Sequence, residues 1–248
     1  MPTSRRRQVQ LEVLSSSIAV AERGATIVAD VARVAVAERG RFVFAVSGGS
    51  TPWLMFRALG SKDLPWQRTH VLQVDERVAP AGHSERNLTH LQANLLEQTS
   101  WRAVQIHAMP VENPDLHSAA AQYAALLREL AGSPPVLDLI HLGLGTDGHT
   151  ASLLPNDPVL DVRDQDVSVS GSREGRLRMT LTFPVLNGAR SVLWLITGAE
   201  KAKMLQRLCN GDRSIPAGCV QQSNARVLAD RAAAAFVSAA GDGPQLDS

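Results

Sequence analysis

One pattern recurs along this chain and restricts its folding more than any other: a short apolar or β-branched run, a turn of small or polar residues, then a longer stretch with helical spacing. Val9 to Val13 opens the series and leads into an Ala/Val-rich segment from about Ser16 to Glu38. Phe42 to Val46 ends at Ser47-Gly48-Gly49, and similar runs follow at Val71 to Val74, Leu137 to Leu142 and Val192 to Ile196. Helical segments such as Asn87 to Leu96 and Glu200 to Leu208 come after them. This alternation predicts an α/β fold, a mostly parallel, doubly wound, Rossmann-like sheet with helices on both faces. Ligands of such sheets bind at the carboxyl ends of the strands, so the residues just after each run carry the functional information.

Turn-rich stretches at Gly60 to Gln67, Gly132 to Pro135 and Pro155 to Gly175 are too short or too unbiased to force a domain boundary. The expectation is one domain over 1–248, with a core from 8 to 240 and frayed ends at Met1 to Arg7 and Gly241 to Ser248. The longest stretch reads as a surface excursion with an edge strand near Val167 to Val169. Arg5, Arg6 and Arg7 imitate the start of a signal peptide, but Gln8, Gln10 and Glu12 break the apolar segment that should follow.

Charge narrows the partners. The formal net charge is +1, from 25 Lys and Arg against 24 Asp and Glu. No basic block is present to neutralise a phosphate backbone, so nucleic acid is not an expected partner. Apolar stretches are interrupted well before the roughly 20 residues that span a bilayer, so no membrane association is expected. Cys209 and Cys219 form neither a disulfide framework nor a thiolate metal site, which fits a reducing, cytoplasmic setting. His-Glu-x-x-His and Gly-x-Ser-x-Gly are absent, leaving metal-hydrolase and acyl-enzyme chemistry without their usual parts.

Four strand-end segments offer chemistry. In Ser47-Gly48-Gly49-Ser50-Thr51-Pro52, successive amides can approach an anion where a helix begins, with Thr51 as cap and Pro52 in the first turn. A plain glycine-rich turn is the alternative, and no Lys follows in the manner of a triphosphate loop. Asp75-Glu76-Arg77 sets three charges at a strand end, where Arg77 offers a fork for phosphate or carboxylate; a solvated turn is the alternative. The third segment, Gly143 to Thr150, formally matches Gly-x-Gly-x-x-Gly, yet Pro155 and Pro158 stop any long helix, which argues against a dinucleotide. It carries His149 on a glycine-framed loop with Asp147 two residues away. Finally, Lys201 opens a helix after Thr197-Gly198, where a cation opposes the helix dipole unless an anion is near.

Read together, Ser47 to Pro52, Asp75-Glu76-Arg77 with Val78 and Pro80 behind it, and Leu142 to Pro155 resemble the 6-phosphogluconolactonase family. Thr180 to Asn187, Gly198 to Lys201 and Ile215-Pro216-Ala217 extend the resemblance over roughly positions 10 to 235. Thr146 stands where that family usually has Pro, and Leu154 where Phe is common. The related glucosamine-6-phosphate deaminases typically carry Asp-Glu-Tyr at the second segment and Phe-Asn-Glu-Pro after the His loop. This chain reads Ser152-Leu153-Leu154-Pro155 there.

The resemblance implies hydrolysis of a sugar-phosphate lactone without metal or other cofactor. His149 would take a proton from water, Asp147 would orient it, and Arg77 or amides of the Gly143 to Gly148 loop would meet the oxyanion. Ser47, Gly48, Gly49, Ser50 and Thr51, with Lys201, would hold the phosphate. Asp75, Glu76, Gly143, Gly145 and Gly148 would frame the substrate. An amino-sugar-phosphate deaminase and a non-catalytic sugar-phosphate sensor are the competing expectations, although no helix-turn-helix fits before Phe42. The oligomeric state stays open, with a monomer compatible.

Overall fold

The computed structural model describes residues 9–96 and 105–237. The ends expected to fray, and Arg5 to Arg7, lie outside the described residues. The strands are β1 (Gln10–Leu14), β2 (Phe42–Val46), β3 (Thr69–Gln73), β4 (Asp75–Arg77), β5 (Gln105–His107), β6 (Leu139–Leu142), β7 (Val167–Arg173), β8 (Arg176–Leu181), β9 (Val192–Ile196) and β10 (Ala225–Asp230). The helices are α1 (Ser17–Arg39), α2 (Ser50–Leu59), α3 (Asn87–Leu96), α4 (Leu116–Ala131), α5 (Phe183–Gly188) and α6 (Ala202–Cys209).

Among the described residues, seven strands form an all-parallel sheet in the order β1-β10-β9-β6-β2-β3-β5. Alternation along single strands explains why it is covered twice. Phe42, Phe44 and Val46 pack with Leu193 and Leu195 against α1, α2 and α3, through Val28, Met55, Phe56 and Leu91. Val43 and Ala45 point the other way, with Val192, Trp194 and Ile196, towards Tyr123 and Leu127 of α4, Leu186 of α5 and Leu205 of α6. A strand buried on both sides has no polar face, hence the unbroken apolar runs at β2 and β9.

Helix ends are set locally. The Ser16 side chain accepts from the amide of Ala19 to start α1, and Gly40, in the left-handed region at φ 74°, closes it. From β2 the chain moves outward through β3 to β5, then returns to β6 on the opposite side of β2. Strand order therefore reverses between β2 and β6, the place where the loops that follow them part and open a crevice.

The segment expected to be a surface excursion is different. A 3₁₀ turn at Pro158–Asp161 leads into the β7–β8 hairpin, and β8 pairs antiparallel with β4 in a second sheet of order β4-β8-β7. The edge strand near Val167 is thus longer than expected, and Asp75 to Arg77 form a strand rather than a free turn. Met179 and Leu181 bury their side chains in the main core, which anchors this small sheet.

Candidate active site

The loops after β2, β3, β6 and β9, with one wall from β8, enclose a cleft of about 400 Å³. Ser47 to Pro52, Asp75, Arg77, Gly143, Gly145, His149 and Lys201 line it, so the four expected segments converge. Glu76, Asp147 and Gly148 do not line it, whereas Asn87 and Arg178, not anticipated as site residues, do.

At the β2 loop, the Ser47 amide donates to His141 Nδ1 at 3.4 Å, and Gly49 (φ 138°) is the residue that precedes α2. Thr51 is not the cap: α2 begins at Ser50, and Thr51 Oγ1 instead bonds Thr197 Oγ1 at 2.7 Å, joining the β2 and β9 loops. A Cβ at Gly48 would overlap the side-chain amide of Asn87, so only glycine allows this approach. Asn87 is itself fixed, its Oδ1 accepting from Arg77 Nη1 at 2.7 Å and its Nδ2 donating to the Asp75 carbonyl at 3.0 Å.

Glu76 turns away from the cleft and is wholly buried. Its carboxylate accepts from the amides of Arg77, Asn87 and Leu88 and from Gln73 Nε2, with Arg86 Nε 3.5 Å away. It caps α3 and neutralises Arg86, which corrects the expectation that it meets a ligand. Asp75 faces the cleft beneath Ser152, whose Oγ donates to Oδ2 at 2.7 Å. Burial raises the Asp75 pKa; the Ser152 bond and the charges of Arg77 and Arg178 offset part of that.

In the β6 loop, the Gly145 amide donates to the His149 carbonyl at 2.8 Å, and a Cβ at position 145 would strike both the imidazole and Asp147. Asp147 Oδ1 lies 2.5 Å from His149 Nδ1 and accepts the His149 amide at 3.1 Å. Arg173 Nη1 reaches Asp147 Oδ2 at 3.0 Å and His149 Nδ1 at 2.8 Å. With Nδ1–H donated to Asp147, the lone pair of the neutral ring belongs to Nε2, and the Arg173 guanidinium beside Nδ1 is held there by its bond to Asp147, not by the ring. Burial lowers the His149 pKa; Asp147 opposes this and Arg173 reinforces it. Burial tends to raise Asp147, but the bonds from His149 and the charge of Arg173 outweigh it and hold the carboxylate below its ordinary range. Gly148 turns towards Ile215, its carbonyl accepting from Ala217, which accounts for Ile215-Pro216-Ala217 as packing behind the loop.

Lys201 ends a 3₁₀ turn, Ala199–Lys201, directly before α6, and makes no ion pair with Glu200. Arg178 had no local signal, because it stands in β8 as one of several polar residues in a hairpin; only the pairing with β4 brings it to the cleft. Among the described residues, no group of three or more His, Cys, Asp and Glu is arranged to hold a metal ion. No described helix is long and apolar enough to cross a membrane.

The reversal of strand order, with a charged cleft at the carboxyl edge, defines an α/β protein of the doubly wound class. Within that class, this chain belongs to the family described as glucosamine-6-phosphate isomerases/6-phosphogluconolactonase, which matches residues 15–229. It is 38% identical over 223 residues to a 6-phosphogluconolactonase of Synechocystis, covering 88% of this chain and 90% of that one. A human 6-phosphogluconolactonase is 34% identical over 242 residues, covering 92% and 93%. The crystal structure of a 6-phosphogluconolactonase from Thermotoga maritima superposes with a TM-score of 0.78 at 25% identity, covering 89% and 98%.

Proposed function

We propose that this protein hydrolyses the ring ester of 6-phospho-D-glucono-1,5-lactone to 6-phosphogluconate through a water activated by His149, a route that calls on no metal. The observation that carries the reading is the shared cleft: an imidazole with Nδ1 tied to Asp147 opens onto the same space as the glycine turn at the start of α2 and Lys201. The amides of Ser47 to Thr51 and the Lys201 ammonium hold the phosphate. That anchorage turns the ester towards His149, and positioning of this kind makes the attack effectively intramolecular. His149 Nε2 takes the water's proton, and Asp147 fixes the ring and stabilises the imidazolium. Asp75, Gly143 and Gly145 shape the walls around the sugar.

The deaminase reading is disfavoured by one residue after the His loop. Where those enzymes carry the acid of Phe-Asn-Glu-Pro, this chain has Leu154, a buried apolar side chain. The deciding experiment generates the lactone with glucose-6-phosphate dehydrogenase and follows its loss with and without this protein. Accelerated loss, with no ammonia released from glucosamine 6-phosphate, is the expected result; unaccelerated loss overturns the reading.

A further inference from the structure

Arg178 is in an unusual state for a guanidinium. It is 5% exposed, and among the described residues its Nε has no hydrogen-bond partner and Nη2 meets only Glu174, at 3.4 Å. Directly opposite it across the β4–β8 ladder stands Arg77, so two cations face each other. Like charges so paired are unfavourable, and a buried donor without a partner adds to the cost. Asp75 compensates in part, acting on both Arg178 and His149. Glu174, mostly exposed, is the second carboxylate near Arg178, yet neither it nor Asp75 meets the buried Nε, and an anion in the cleft would complete this wall.

Position decides which anion. Arg178 shares a hairpin with Arg173, whose guanidinium touches His149 and Asp147, so the imidazole is tied to the arginine end of the cleft. Lys201 follows β9, three strand steps from β3, which leads to Arg77; at the usual spacing that is roughly 14 Å. The cleft therefore carries positive charge at two separated ends. A phosphorylated lactone brings one anion, its phosphate. A second arises only as the ester carbonyl becomes tetrahedral, and it persists as the carboxylate of the product.

Building on the lactonase reading, we infer that Arg178, beside Arg77, is the catalytic residue that receives the charge developing on the ester carbonyl oxygen and then holds the product carboxylate. Lys201 and the helix-starting end of the glycine turn, which Thr51 joins to the β9 loop, hold the phosphate away from Arg178. Water's oxygen bonds to C1 as its proton passes to His149, and the carbonyl oxygen becomes the anion that the arginines meet. Collapse breaks the bond from C1 to the ring oxygen, which takes the proton back from the imidazolium. The acid so formed loses its proton to solvent, leaving a carboxylate against the guanidinium pair.

The test compares Arg178→Gln, Arg178→Lys and Lys201→Ala in turnover of the lactone and in calorimetric binding of two probes, 6-phosphogluconate and glucitol 6-phosphate, which has the phosphate but no carboxylate. Arg178→Gln is expected to lower kcat about 10²-fold, the usual effect of losing one oxyanion donor. It should also weaken 6-phosphogluconate about tenfold while leaving glucitol 6-phosphate within about twofold. Lys201→Ala should weaken both probes. Arg178→Lys keeps the charge but not the fork, and is expected to show the same pattern in milder form should the Gln variant not fold. Equal weakening of the two probes by the Arg178 variants, or unchanged kcat, overturns the inference. A wild-type protein that binds both probes but never turns over the lactone removes the lactonase reading instead.

Discussion

Asn87 closes over Gly48 so tightly that a methyl group at position 48 would overlap its side-chain amide. Asn87 is not free to retreat, because it is bonded to Arg77 and to the Asp75 backbone. Gly48→Ala should therefore open the wall between the glycine turn and Arg77, raising KM for the lactone about tenfold and costing about 1–3 kcal/mol of stability. Steady-state kinetics with a thermal melt check this, and a variant with wild-type KM would show that the contact is slack.

The imidazole makes two signed predictions about pH. Its pKa lies below the ordinary histidine value, so kcat/KM should rise through a midpoint below about pH 6.5 and be flat at neutrality. Because Arg173 pushes the midpoint down and Asp147 pulls it up, Arg173→Gln should move the acid limb to higher pH and Asp147→Asn to lower pH. His149→Ala should lower kcat about 10²–10⁴-fold with little change in KM, and abolish the limb. Midpoints that move in the opposite directions would refute this electrostatic account.

Glu76 stabilises rather than reacts. Replacing it by Gln leaves buried Arg86 with Glu112 alone, at 3.6 Å, as a carboxylate partner and points an amide at the amides of Asn87 and Leu88, a change expected to cost about 3 kcal/mol. A lower urea midpoint, with kcat retained in the folded fraction, is the expected result.

His141 sets an acid limit on folding. It is wholly buried on β6, and burial lowers its pKa to about 3. The unfolded chain takes up a proton near pH 6.5 while the folded chain refuses it until about 3, so stability falls as pH drops across that window, by roughly 5 kcal/mol in all. His70 and His107, also lowered by burial, act in the same direction. Urea midpoints measured from pH 7.5 down to 4 should fall less steeply for His141→Gln than for the wild type.

Phe42 to Val46 and Val192 to Ile196 were readable to the residue because a strand buried on both faces must be apolar throughout. The glycine turns were readable for a related reason: only a residue without Cβ tolerates Asn87 or His149 so close. Glu76 and Arg178 were not. Each lies in a polar stretch that reads as loop, and the pairing of β4 with β8, distant in sequence, buries one beneath α3 and brings the other to the cleft wall. The start of α2 was missed by two residues because Gly49, rather than a side-chain cap at Thr51, precedes it.

One hairpin carries both the arginine that touches the imidazole and an arginine of the cleft wall, with Glu174-Gly175 at its tip. Side chains alternate along β8, so a slip of one residue would exchange Arg178 for Leu177, which is 44% exposed on the opposite face. Mutational drift in this stretch is therefore tolerable in the identity of its water-facing residues but not in the number of residues between Arg173 and Arg178. Relatives that kept the cleft's charge while changing that count would have had to rebuild the ladder to β4.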